Sequence, residues 1–122
     1  MKKILIADDE LAIRLLLKDT FEAEGYETCT ACDGREAIEI LEKCLRENCP
    51  IDLIILDIRM EEMGGREALR VIKYRLCLDT PVIFYTAYDF KQNFDFWEAA
   101  DYLVKSADLG ELVDKVKELL RD

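Results

Sequence analysis

Ile4-Leu5-Ile6-Ala7-Asp8-Asp9 and Leu53-Ile54-Ile55-Leu56-Asp57 decide how this chain folds. A short apolar run closed by polar residues reads as a buried strand. In a parallel sheet both runs point their C-terminal ends the same way, and ligands bind at that edge. Three carboxylates meeting there repel one another unless a hard cation sits among them. Mg²⁺ suits oxygen ligands and retains waters that a phosphate can replace. The two runs therefore point to a metal-dependent phosphoryl site.

Working outward, strand-like and helix-like segments alternate five times, the pattern of an α/β domain with a parallel sheet. The first strand spans residues 3–7. A helix follows over 11–24 and stops at Gly25, with Ile13, Leu16, Leu17, Thr20 and Phe21 as its buried stripe. Leu11 and Leu15 fall on another face. The second strand covers 27–31. Asp33-Gly34-Arg35-Glu36 reads as a capping box, with Ala37, Ile38, Leu41, Cys44 and Leu45 as the inner stripe of the next helix. The third strand spans 52–56. Gly64-Gly65 opens a helix that turns Ala68, Leu69 and Ile72 inward. Residues 81–85 form the fourth strand, with Pro81 at its first position. Phe90, Phe94 and Trp97 would line a short helix between residues 88 and 99. Residues 101–104 make the fifth strand. Asp108-Leu109-Gly110-Glu111 reads as a second capping box. The last helix carries the stripe Leu109, Leu112, Val113, Val116, Leu119 and Leu120.

The totals exclude several functions. The chain has 122 residues, 51% hydrophobic, enough for one domain (residues 1–122) with a real core. No apolar run approaches the roughly 20 residues of a membrane span. The stretch after Met1-Lys2-Lys3 ends at Asp8-Asp9-Glu10, which a secretory h-region does not contain, so a cytoplasmic location is expected. A net charge of −10 argues against direct binding to nucleic acid. The absence of histidine removes the usual general base. Five cysteines, an odd number, argue against a disulfide framework. Cys29-Thr30-Ala31-Cys32 has redox or zinc spacing, but Cys29 falls inside a strand rather than at a helix start, where the dipole would lower a thiol pKa.

Five features gather at one edge: Asp8 and Asp9 after the first strand, Asp57 after the third, Thr86 after the fourth and Lys105 after the fifth. Loop ends are polar in general, which explains any one of them. It does not explain carboxylate, hydroxyl and ammonium in complementary roles. The chain resembles a response-regulator receiver domain of two-component or phosphorelay signalling. The stretches that carry the resemblance are residues 4–10, 31–37, 52–60, 86–87 and 101–105.

The resemblance implies a five-stranded parallel sheet of order 2-1-3-4-5 with helices on both faces, the flavodoxin-like doubly wound fold. It implies that Asp57 takes a phosphoryl group from a phosphohistidine on a sensor histidine kinase or histidine phosphotransferase. Asp8, Asp9, Asp57 and the backbone carbonyl of Arg59 would hold Mg²⁺ (or Mn²⁺), which neutralises charge in the transition state. Lys105 would pair with the phosphoryl oxygens, and Thr86 would donate to one of them and draw Tyr102 inward. The domain would be a monomer or a weak phosphorylation-dependent dimer, with an unknown downstream protein target. It would not turn over an independent substrate, and it reads as a stand-alone receiver or a piece of a longer regulator.

Two rival readings remain beside this one. A pseudo-receiver would bind partners without phosphorylation. An aspartyl-phosphate phosphatase would need an acid two residues after Asp57, where this chain has Arg59.

The chain departs from the family pattern in three places. Glu61 stands where proline is usual, predicting a looser loop. Ser106 follows Lys105 where proline is usual, predicting a trans bond there, because cis before a non-proline costs about 2.5–4 kcal/mol. The span from Thr86 to Tyr102 is short, with Glu98 where glycine is usual, predicting a short or irregular fourth helix. Arg59 and Tyr88 lie two residues after Asp57 and Thr86, where bulky side chains would flank an attacking water and lengthen the phosphorylated lifetime. Leu11 and Leu15 would form an apolar docking pair for a helix of the phosphodonor.

Overall fold

The computed structural model describes residues 1–87, 99, 101–105 and 108–121. Five strands form one sheet of order β2-β1-β3-β4-β5. They are β1 (Lys3–Ala7), β2 (Glu27–Ala31), β3 (Leu53–Leu56), β4 (Val82–Thr86) and β5 (Asp101–Val104). Every pairing is parallel. The inner strands β1, β3 and β4 are apolar along their length because both of their faces are covered.

Side-chain alternation divides the interior into two cores. Leu5, Ala7, Ile54, Leu56, Val82 and Phe84 face α2 (Gly34–Arg46) and α3 (Gly65–Arg70). Ile4, Ile6, Leu53, Ile55, Ile83 and Tyr85 face α1 (Leu11–Ala23) and α4 (Leu109–Leu119). The helices thus lie on both faces, as the doubly wound reading requires. Helix α3 runs on into a π-helical turn, Val71–Arg75, in which the Leu76 N–H donates to the Val71 carbonyl.

Three leucines assigned to inner stripes stand in solvent. Leu16 is 47% exposed, Leu45 51%, and Leu119 is also exposed. The reason is the narrowness of each contact. Helix α1 buries only Leu17 and Phe21, one turn apart, and Leu16 sits on the flank of that line. Leu45 and Leu119 lie in the last turns of their helices, and at the end of α4 it is Leu120 rather than Leu119 that enters the core.

The first capping box forms in altered shape, and the second is reduced to an N-cap by Asp108. Asp33 Oδ1 accepts from the Glu36 N–H at 2.8 Å as expected, but Glu36 Oε1 reaches the Cys32 N–H, one residue beyond the cap. Asp108 Oδ1 accepts from Gly110 rather than Glu111, whose N–H goes to the Asp108 carbonyl. The expected helix around Phe90, Phe94 and Trp97, together with Tyr88, Glu98 and the Lys105–Ser106 bond, lies outside the described residues.

The loop from β3 to α3 is tied at two points. The Gly65 N–H donates to the Ile58 carbonyl and the Gly34 N–H to the Met63 carbonyl. Between them Glu62 adopts φ +63°, and the Met63 N–H reaches back to the Glu61 carbonyl, forming a γ-turn. The expected looseness from Glu61 is therefore offset by backbone bonds on either side.

At Gly65 an added Cβ would collide with the Asp57 carbonyl oxygen and come within 2.9 Å of the Phe84 ring. Gly65→Ala is therefore expected to destabilise the fold by about 1–3 kcal/mol, the usual cost of overpacking. Gly110→Ala, whose Cβ would meet only Asp108 at 3.5 Å or more, should be neutral or stabilising. Urea unfolding of the two variants checks this; equal stability would refute it.

Candidate phosphoryl-acceptor site

The strand register builds the site. Ala7 pairs with Leu56, so Asp8 and Asp57 leave the sheet side by side. Leu56 pairs with Phe84, which sets Thr86 one step beyond the level of Asp57. Thr86 pairs with Val104, and Lys105 follows directly, its N–H donating to the Thr86 carbonyl at 2.6 Å.

Backbone bonds fix both buried carboxylates. Asp57 donates its N–H to the Ala7 carbonyl, and its Oδ1 accepts from the Ile58 N–H at 2.7 Å. Asp8 donates to the Ala31 carbonyl, and its Oδ1 accepts from the Glu10 N–H at 2.9 Å. Arg14 Nη1 clamps the Asp8 carbonyl at 2.6 Å. Each carboxylate is left with Oδ2 facing its neighbour.

The Lys105 ammonium fills the space between them. Its Nζ lies 2.7 Å from Asp8 Oδ2, 3.0 Å from Asp57 Oδ2 and 3.5 Å from Glu10 Oε1. Burial opposes the charged ammonium, but the Asp8 and Asp57 carboxylates outweigh it and hold the Lys105 pKa well above the ordinary lysine range. Burial pushes the Asp8 carboxyl above its usual value; the Lys105 and Glu10 N–H bonds pull it down, and the Asp57 charge pushes it up again. The site thus carries a fixed cation that stays protonated at any physiological pH.

The other expected residues take the following places. Asp9 is exposed, with a carboxylate oxygen within 4.8 Å of those of Asp8 and Glu10. Among the described residues these three acids are the one group of three or more potential metal ligands. All their donors are hard oxygens, the set that suits Mg²⁺, and the Asp8 and Asp57 oxygens already bracket a cation. Thr86 is fully buried at the end of β4. Tyr102 is half-buried against the core on the α2–α3 side, beside Phe84. Arg59 is exposed next to Asp57.

Glu10 escaped the sequence reading. Its signal was the third acid in Asp8-Asp9-Glu10, directly after the two residues that were assigned. Cys29 lies inside β2, while Cys32 follows its C-terminal end, next to the Ala31 carbonyl that accepts from Asp8. Burial pushes up the Cys29 thiol, and desolvation with the Glu36 and Asp33 carboxylates pushes up that of Cys32, the opposite of what redox chemistry needs.

Comparison with known proteins supplies the family and the fold. Residues 4–117 match the response regulator receiver domain family. The chain is 37% identical over 122 residues to sporulation initiation phosphotransferase F of Bacillus subtilis, covering 98% of this chain and 94% of that protein. It is 34% identical over 125 residues to the transcriptional regulatory protein CpxR of Escherichia coli, covering 99% of this chain but only 50% of that protein. Among solved structures, response regulator TrrA of Thermotoga maritima, in complex with Mg²⁺-BeF, is 40% identical with a TM-score of 0.84, covering 98% of this chain and all of that one. The CheY of a CheX–CheY–BeF3–Mg complex from Borrelia burgdorferi is 26% identical with a TM-score of 0.86, covering 99% and 90%. The chain belongs to the response regulator receiver domain family and is a phosphoryl-accepting signalling switch.

Proposed function

We propose that Asp57 is the phosphoryl acceptor, within a single receiver domain spanning residues 1–122. The observation that carries this reading is the shared Lys105 ammonium, which bonds Asp57 and Asp8 at the ends of adjacent strands. An Asp57 oxygen attacks the phosphorus of a partner phosphohistidine; the new O–P bond forms as the P–N bond breaks, leaving an acyl phosphate. Asp8, Asp9, Asp57 and the Arg59 carbonyl hold Mg²⁺, which when bound offsets the charge of the transferring group. Mn²⁺ has the same preference for oxygen donors. Lys105 follows the charge from the carboxylate to the phosphoryl oxygens. Thr86 donates its hydroxyl to one of those oxygens, and Tyr102 responds by packing deeper, which changes the output face.

The phosphodonor is a sensor histidine kinase or histidine phosphotransferase in the cytoplasm, and the acidic surface disfavours nucleic acid as a direct partner. Leu11 and Leu15, 60% and 50% exposed on α1 beside the site, supply an apolar surface for a donor helix. Leu16 widens that surface. The chain's length covers about half of the transcriptional regulators it resembles, so any output domain or downstream target is a matter for the whole protein.

Intact-protein mass after incubation with acetyl phosphate and Mg²⁺ tests the central reading. One phosphoryl group is expected, dependent on both the metal and Asp57; an adduct that survives Asp57→Ala refutes the assignment. Replacing Arg59 and Tyr88 with alanine should speed decay of the adduct, and an unchanged lifetime removes their role. Charged replacements at Leu11 and Leu15 should slow transfer from a phosphohistidine donor by about thirtyfold, the scale of an interface hot spot, while leaving reaction with acetyl phosphate unchanged. Equal transfer rates would show those leucines to be incidental.

A further inference from the structure

Every oxygen of the two buried carboxylates is engaged. Asp8 Oδ1 and Asp57 Oδ1 are held by backbone N–H groups, and both Oδ2 atoms are held by Lys105. For Asp8 Oδ2 and Asp57 Oδ2 to serve as metal ligands, Lys105 must first give them up. A half-buried ammonium that leaves two carboxylates without gaining another anion loses far more than it recovers from solvent. Glu10 Oε1, 3.5 Å away, is the third carboxylate within ion-pair reach of Nζ among the described residues.

Glu10 is well placed to receive it. Its backbone is fixed, because its N–H bonds Asp8 Oδ1 and its carbonyl accepts from the Ile13 and Arg14 N–H groups. It caps α1, where the helix N-terminus favours a negative charge. Its side chain is 60% exposed and so can turn without disturbing the core. The edge as a whole sets four carboxylates, those of Asp8, Asp9, Glu10 and Asp57, against the Lys105 ammonium and the Arg14 guanidinium, which still leaves net negative charge for a divalent cation to offset.

We propose that Glu10 is a positioning residue that takes over the Lys105 ammonium when Asp8 and Asp57 turn to the metal, and so tightens Mg²⁺ binding. This rests on the reading of the edge as a Mg²⁺ site. The role passes through Lys105 rather than through direct ligation, which makes it separable by experiment.

The test is calorimetric titration of Mg²⁺ into the unphosphorylated protein, backed by the Mg²⁺-induced rise in Tm. Glu10→Gln is expected to weaken Mg²⁺ binding about threefold, the scale of one partly exposed ion pair. Glu10→Asp keeps the charge but withdraws it from Nζ, and should behave like Glu10→Gln. In a Lys105→Met background Glu10→Gln should have no further effect. The relay is overturned by an unchanged affinity in Glu10→Gln, by wild-type affinity in Glu10→Asp, or by the same factor with and without Lys105. A wild type that binds no Mg²⁺ overturns the metal reading itself, a result distinct from each of these.

Discussion

A single ammonium group shared by buried carboxylates sets the terms for this molecule. Asp8 and Asp57 are both buried and adjacent, and two like charges so placed repel each other. Lys105 makes the arrangement tolerable by bonding both. To bring it there the chain must close β5 onto β4 in register, and β4 onto β3, so that Lys105 leaves β5 two steps beyond the level of Asp57 and reaches back to both acids. The parallel sheet, its order and the burial of its inner strands are what hold that meeting in place. Net worth in stability is modest for such a pair, because desolvation offsets much of the attraction. Its larger effect is to fix which strand ends can lie together.

Much of this was legible in the amino-acid sequence because it rests on local pattern. The runs at 4–7 and 53–56 are too short for helices and too apolar for an edge, so their place in the sheet followed. Asp8, Asp57, Thr86 and Lys105 stood out because each breaks an apolar run. Glu10 did not, since a polar residue after two others carries no contrast, and its approach to Lys105 depends on a strand that lies far along the chain. The exposed Leu16 and Leu45 show a different limit. Periodicity gives the direction of a stripe but not its width, and width is decided by how much sheet lies beneath the helix. The Asp33 cap formed as expected, but the return bond of Glu36 shifted by one residue, to the Cys32 N–H.

The internal cation also separates folding from metal supply. In many small metal sites the ligands repel until the ion arrives, so the fold waits on it. Here the protein brings its own positive charge to the acids. The buried acids are balanced within the chain itself, so the sheet does not wait on an ion to close.

The glycines at 34 and 65 draw a boundary around what this site can become. Gly65 lies so close to the Asp57 carbonyl, and Gly34 to that of Met63, that neither has room for a side chain. Between the two contacts, Arg59, Glu61 and Glu62 face solvent. Arg59 and Glu61 can change chemistry while the backbone that carries them stays fixed, whereas Glu62 holds a left-handed conformation that few side chains adopt. A lineage could thus retune the surroundings of Asp57 through these few positions, one substitution at a time, without reopening the architecture that holds it.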